Sequence, residues 1–271
     1  MSVQTAALPP DCHVLSPLGK QARGRPEEYA RVAAQLGLPE ITVADRCPSP
    51  HRYDEANRMD MSDLEAYLAW QGQVAESPGA TPTRLGLEAD FYQGCYVFQS
   101  EFLGQLDLDL VLGTVRYQSF WARDPSERTL YDKSELMPVW RRYFKLVGLL
   151  VESGLYDAVS CFDLPKREGR LPRESTIRDC ALPALDRMAQ YGVALEINTS
   201  GLRDPVHEIY PSPQILAWAR ERNIAILFGS SAGAPEQVGH GFADAVRLAK
   251  QAGYTQYARY QGRRRTLVPL E

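Results

Sequence analysis

Four side chains with metal-ligand chemistry, His13, Glu88, Cys161 and Asp163, stand in or just after short apolar runs of this sequence, and two arginines, Arg46 and Arg116, close two more. Imidazole, carboxylate and thiolate together form a donor set that suits a single zinc ion. The plainer alternative is a buried Cys161 thiol and an Asp163 carboxylate bonded to backbone. Arg46 and Arg116 bring permanent positive charge. A guanidinium neutralises a carboxylate such as Glu88 and offers phosphate a two-pronged fork, but it does not ionise water as a metal does. Equally, both arginines can serve as a folding device by pairing with Glu88, Asp11 or Asp45. Asn198 and Arg203 follow another apolar run in Asn-Thr-Ser-Gly-Leu-Arg, where Gly201 permits a tight turn. Lys166 and Arg167 open a basic stretch to Arg173 that reads either as an anion-binding loop or as a solvated face. Cys161 is not read as a nucleophile, because none of His51, His207 and His240 has a context that places it beside the thiol. His207, shortly after Arg203, is the one expected near the same end of the molecule.

The elements that must position these residues alternate regularly. Strands are predicted at Cys12 to Leu15, Glu40 to Ala44, Arg84 to Glu88, Leu110 to Tyr117, Ala158 to Phe162, Ala194 to Asn198 and Ala225 to Gly229. Between them lie amphipathic helices. The clearest runs from Ser134 to Ser153, with Leu136, Trp140, Tyr143, Phe144, Val147, Leu150 and Val151 at helical spacing and Gly154 as a stop. A second is predicted from Ser62, with Glu65 as the capping-box partner, and a third from Ser212-Pro213, with proline at the first helical position. Alternating βα units suit either a closed barrel or a doubly wound sheet, and in both the C-terminal strand ends carry the site. The segment from 262 to 269, with three successive arginines, is read as a surface strand beside this core and not as a nucleic-acid patch.

The bulk numbers narrow the class. A chain of 271 residues fits one α/β domain spanning 1–271. A net charge of −4 leaves no electrostatic footprint for nucleic acid or an anionic membrane, which favours a small-molecule role. The five cysteines are scattered, odd in number and without a Cys-x-x-Cys pair, so neither a disulfide framework nor a zinc ribbon is indicated. Met1 to Pro10 shows no signal-peptide pattern and no apolar run approaches a membrane span. A cytoplasmic protein is expected.

Read in order, the blocks around these residues resemble the PHP (polymerase and histidinol phosphatase) superfamily, specifically its histidinol-phosphatase branch. They are Asp-Cys-His-Val-Leu-Ser-Pro-Leu at 11–18, Ala-Arg-Gly with Pro-Glu-Glu-Tyr at 22–29, Val-Ala-Asp-Arg-Cys-Pro at 43–48 and Leu-Gly-Leu-Glu-Ala-Asp-Phe at 85–91. Leu-Gly-Thr-Val-Arg-Tyr at 112–117, Phe-Asp-Leu-Pro-Lys at 162–166, Leu-Glu-Ile-Asn-Thr-Ser-Gly-Leu-Arg at 195–203 and Phe-Gly-Ser-Ser-Ala-Gly at 228–233 follow. The resemblance implies a distorted seven-stranded βα barrel that binds divalent metals at its C-terminal mouth and hydrolyses L-histidinol phosphate in histidine biosynthesis. His13 and Glu88 match the family's metal-ligand positions. Leu15, Gln21, Arg46, Arg116, Cys161 and the Ser231-Ala232-Gly233 block stand where the family has further ligands. The resemblance also makes Arg203 a phosphate contact.

The expectation is therefore a histidinol-phosphatase-like protein that has lost its metal cofactor and whose hydrolysis is lost or strongly impaired. It would retain a pocket for a small phosphorylated metabolite such as histidinol phosphate, lined by Arg46, Arg116, Asn198, Arg203 and Ser231. The alternative is an active phosphatase that uses arginines, or one zinc or manganese ion rebuilt on His13, Glu88, Cys161 and Asp163. A third option is a protein partner: a subunit that stabilises an active relative.

Overall fold

The computed structural model describes residues 7–50, 54–75, 79, 81–116 and 136–271. The first six residues, His51, the expected strand end at Tyr117 and the expected helix start at Ser134 lie outside them. Seven parallel strands, β1 (Asp11–Val14), β2 (Ile41–Val43), β3 (Thr83–Asp90), β4 (Leu110–Thr114), β5 (Ala158–Val159), β6 (Ala194–Asn198) and β7 (Ile226–Gly229), pair in sequence order. The sheet then curls until β1 meets the chain beyond β7: Leu15 N–H donates to Ala232 O at 2.8 Å. Asp11 fastens this seam by accepting from Ser230 N (2.9 Å), Ser230 Oγ (2.5 Å) and Gly239 N (2.9 Å). The result is the expected distorted seven-stranded barrel, nearly closed.

Strand alternation divides each strand into a lumen face and a helix face. Cys12, Ala44, Leu110, Leu112, Ala158, Ala194 and Leu227 form a small inner cluster with Ala258 and Tyr260. One or two pleats further along the same lumen-facing rows come Arg46, Glu88, Arg116, Glu196 and Asn198. The lumen is thus apolar toward the N-terminal strand ends and charged toward the C-terminal ends, the polarity on which barrel sites rest. In β1 the register against β2 shifts between Asp11 and Val14. That irregularity lets both Cys12 and His13 turn their side chains inward, which strict alternation forbids.

Helices α1 (Pro26–Gln35), α2 (Leu64–Leu68), α3 (Trp70–Ala75), α4 (Tyr96–Gly104), α5 (Leu136–Glu152), α6 (Glu174–Tyr191), α7 (Pro213–Glu221) and α8 (Phe242–Gln251) cover the outer face. In α5 the predicted stripe is the buried face, with Trp140, Tyr143, Val147 and Leu150 wholly enclosed. Truncating Trp140 to Ala there costs about 3–5 kcal/mol. Ser212 precedes α7 and Pro213 opens it, as the sequence predicts. The predicted Ser62–Glu65 capping box does not form, because Ser62 lies inside a 3₁₀ turn, Met61–Asp63, and α2 starts after it.

The opposite end of the barrel is floored by an antiparallel hairpin, β8 (Gln256–Gln261) and β9 (Arg264–Pro269). Its two-residue turn, Gly262-Arg263, has both φ values positive, as tight hairpins require. Arg259 grips Glu40 (3.1 and 2.5 Å), Arg263 grips Asp157 (3.0 Å) and Gly262 N–H donates to Asp109 (2.9 Å). These three carboxylates precede β2, β4 and β5, so the arginine-rich segment works as a fastening under the barrel, consistent with its reading as a surface strand. Among the described residues no helix is long and apolar enough to cross a membrane.

Candidate functional site

Glu88, from the lumen face of β3, is the centre of the charged mouth. Arg116, two residues past β4, places one guanidinium nitrogen against both carboxylate oxygens, 2.7 Å from Oε1 and 2.6 Å from Oε2. Arg46, two residues past the lumen-facing Ala44, reaches Glu88 Oε2 through Nε at 3.7 Å and donates to Asn57 O at 3.3 Å. The Glu88 side chain is 1 % exposed. Burial alone raises a carboxyl's pKa, but the Arg116 charge, then His13 and Arg46, more than offset it and hold Glu88 at about 2. Of the partners weighed from sequence, the arginines choose Glu88. Asp11 is committed to the β1–β7 seam, and Asp45 accepts from Ser16 N (2.8 Å) and Ser16 Oγ. Behind this cluster Arg58 binds Asp90 at 2.7 Å, while Arg116 Nε and Asp90 lie 3.6 Å apart, too long for a hydrogen bond.

His13 faces the cluster from β1. Its Nδ1 lies 2.8 Å from Glu196 Oε1 on β6, and the two side chains are 1 % and 0 % exposed. Asn198 Nδ2 donates to Ser231 Oγ at 2.8 Å, and those two atoms lie 3.4 and 3.3 Å from His13 Nδ1. Burial lowers the proton affinity of His13, yet Glu196 and then Glu88 raise it further, so its pKa stands above the ordinary imidazole value. His13 Nε2 and Glu196 Oε2 are buried without a hydrogen-bond partner among the described residues.

Arg203 sits in the loop after β6 and donates to Ser230 O (2.7 Å) and Ser231 O (3.1 Å), which brings its guanidinium to the same rim. Gly201 is needed for space and not for handedness: a Cβ there would lie 2.0 Å from Glu208 O. Ser231 and Cys161 both adopt left-handed backbone, with φ of 47° each, a strain that clusters at functional positions. Arg46, Arg116, Asn198, Arg203 and Ser231 thus lie on the mouth's lining or rim. Cys161 is buried near Glu196, Arg116 and Glu88, and burial pushes its thiol pKa well up. Asp163 goes elsewhere: its Oδ2 accepts from Ser212 N (2.8 Å) and pairs with Lys166 Nζ (3.1 Å). Lys166 is neither a solvated nor an anion-binding residue. It is fully buried and also donates to Ile209 O at 2.6 Å, while Arg167 pairs with Asp204. His207 is exposed, 3.3 Å through Nδ1 from Leu202 O, and apart from the His13 cluster.

The residue that the sequence reading left out is Glu196. Its signal was present, a glutamate in the middle of the apolar run Ala-Leu-Glu-Ile-Asn, since a charge in a fully buried strand needs a partner.

The geometry agrees with the comparisons. The PHP domain family matches residues 11–200. A probable histidinol-phosphatase of Deinococcus radiodurans is 40 % identical over 245 residues, covering 90 % of this chain and 93 % of its own length. The Bacillus subtilis histidinol-phosphatase is 24 % identical over 249 residues, covering 79 % of this chain and 89 % of its own. The crystal structure of histidinol phosphate phosphatase from Lactococcus lactis, complexed with zinc, L-histidinol and phosphate, superposes with a TM-score of 0.77. It is 21 % identical, covering 95 % of this chain and 98 % of that one.

That zinc overturns the expectation that no metal cofactor belongs here, because an enzyme of the same fold is seen in complex with zinc, L-histidinol and phosphate. The donors described in this chain meet the requirement only in part. His13 Nε2 and Glu196 Oε2 are available, Glu88 is engaged by Arg116, and no group of three or more His, Cys, Asp or Glu among the described residues is arranged around a common point. With the seven-stranded barrel, the ordered sequence blocks and these relatives together, the chain belongs to the PHP domain family, in its histidinol-phosphatase branch.

Proposed function

We propose that this chain binds L-histidinol phosphate at the barrel mouth and hydrolyses it to histidinol and inorganic phosphate, a step of histidine biosynthesis. The observation that carries this reading is the convergence of two guanidiniums, Arg116 and Arg46, on the buried carboxylate Glu88, opposite a buried imidazole whose Nε2 has no partner among the described residues. Arg203 adds a third guanidinium at the rim. A phosphoryl group offers the acceptors such donors need, and charge-assisted bonds to it are about twice as strong as neutral ones. Arg116 and Arg46 orient the phosphoryl oxygens, Arg203 holds the group from the β6 loop, and His13 turns Nε2 into the enclosed mouth opposite them. The histidinol-phosphatases among the relatives support the substrate class.

A second reading has its own observation. Glu88 is already held through both oxygens by Arg116, which favours binding without turnover. One experiment separates the two: phosphate release from L-histidinol phosphate by the purified chain, with added zinc or manganese and in parallel with chelator, alongside calorimetric binding. Phosphate release is the expected outcome, and the chelator arm reports whether metal drives it. Binding without release in every arm establishes the second reading. Neither binding nor release removes both.

A further inference from the structure

Glu196 has no part in the anion-binding reading above, yet its contact decides which nitrogen of His13 can act. Around Nδ1 stand Glu196 Oε1 at 2.8 Å, Ser231 Oγ at 3.3 Å and Asn198 Nδ2 at 3.4 Å, the last already donating to Ser231. A carboxylate oxygen 2.8 Å from Nδ1 is placed to accept from it, which is the pairing of a ring whose hydrogen sits on Nδ1. Nε2 then remains as the outward nitrogen, buried and without a partner among the described residues. The backbone is shaped around this pair: a Cβ at Gly229 would lie 2.1 Å from Glu196 Oε1 and 2.7 Å from His13 Cβ. Three strands therefore meet in one device, with His13 from β1, Glu196 from β6 and the cleared position 229 from β7.

We propose that Glu196 is a positioning residue for the phosphatase site. It holds His13 with its hydrogen on Nδ1 and turns Nε2 to the mouth, where its lone pair accepts from a water or a P–OH at the phosphoryl end of the substrate. The inference deepens the function proposed above and rests on it for the identity of the ligand. The fixing of a tautomer by the hydrogen bond on the other ring nitrogen is its physical basis.

The test is ring ¹⁵N NMR of the full chain at alkaline pH, where the ring is neutral. The chain has four histidines, and His13 is assigned by the signal missing in His13→Gln. The expected wild-type result is a protonated-type Nδ1 and an unprotonated-type Nε2, with Nε2 shifting on addition of inorganic phosphate. Glu196→Gln, which can donate as well as accept, is expected to lose both signatures and to lower kcat by about 10- to 100-fold, the range for such partners of functional histidines. Glu196→Asp should recover part of that loss. An unprotonated Nδ1 in the wild type overturns the proposal without any variant. So does a Glu196→Gln protein that keeps the same tautomer and the same phosphate response. Absence of phosphate release by the wild type defeats the phosphatase reading, whereas the Nδ1 signal still decides the role of Glu196.

Discussion

Replacing Arg116 by Met retains most of the side-chain volume while removing the charge on which Glu88 depends. In the native barrel Glu88 is held at about 2 against an ordinary 4.5. At 1.36 kcal/mol per tenfold change in proton affinity, that span favours the ionised form by about 3 kcal/mol. Arg116 is the largest attractive contributor, and Arg46 at 3.7 Å is too distant to replace it. Arg116→Met therefore leaves only the weaker His13 and Arg46 charges against the burial of this carboxylate, and the expected loss of stability at pH 7 is about 3–5 kcal/mol. The sign of the pH dependence follows. In the wild type the folded pKa is depressed, so the contribution of Glu88 is present above 4.5 and is lost as pH falls toward 2. In the variant burial raises the pKa, so Glu88 takes up a proton on acidification and its penalty is relieved. The gap between the two proteins should narrow as pH falls from 7 toward 4.5. Urea unfolding of both at the two pH values measures it, with a Glu88→Gln, Arg116→Met double variant expected to regain stability at pH 7. A loss below about 1 kcal/mol at pH 7, or the same loss at both pH values, would refute the reasoning.

Asp45 gives the opposite slope. Burial, only partly offset by the two Ser16 bonds, lifts its pKa from 3.8 to about 7, so its ionisation opposes folding increasingly between those values. Asp45→Asn should flatten the stability profile from pH 4 to 7 and gain relative to wild type at pH 8, as urea midpoints will show. Lys166→Met leaves Asp163 and the Ile209 carbonyl without their buried cation, and a loss of about 3–5 kcal/mol is expected in the same assay. Gly229→Ala forces Glu196 away from His13, with about 1–3 kcal/mol lost on thermal or urea unfolding and the Nδ1 signature gone from the ¹⁵N spectrum. Arg203→Ala should raise the KM for L-histidinol phosphate about tenfold or more, a charge-assisted bond of about 1.5–3 kcal/mol.

Much of the architecture was legible because it follows from local periodicity. The α5 stripe and the seven apolar runs are patterns of one element each, and each element formed where its pattern stood. The run at 158–162 shortened to Ala158–Val159, and the strand that begins at Leu110 ends at Thr114, before the described Val115 and Arg116, because apolar composition does not show where a strand loses its neighbour's hydrogen bonds. The Ser62 capping box failed for a related reason: a 3₁₀ turn had already used that segment. At the site, Arg46, Arg116 and Glu88 were legible as charges at strand ends. Glu196 was legible only as an anomaly, since its partner is 183 residues away. The mistaken expectation of a metal-free family member came from counting ligand positions, a count that the zinc in the Lactococcus lactis enzyme corrects.

The sequence alone determined the alternation of strands and helices, the family, and the charged residues just beyond the apolar runs, because each depends on neighbours within a few positions. Only the tertiary structure decided that both arginines serve Glu88 and not Asp11 or Asp45, that Lys166 is enclosed, and that the three-arginine segment fastens the barrel floor. It alone turned His13 into the lumen beside Glu196, through a register shift in β1 and a cleared position on β7. A buried charge takes whichever opposite charge barrel closure brings within about 4 Å, and that distance is set by strand register and curvature, which no stretch of the chain encodes by itself.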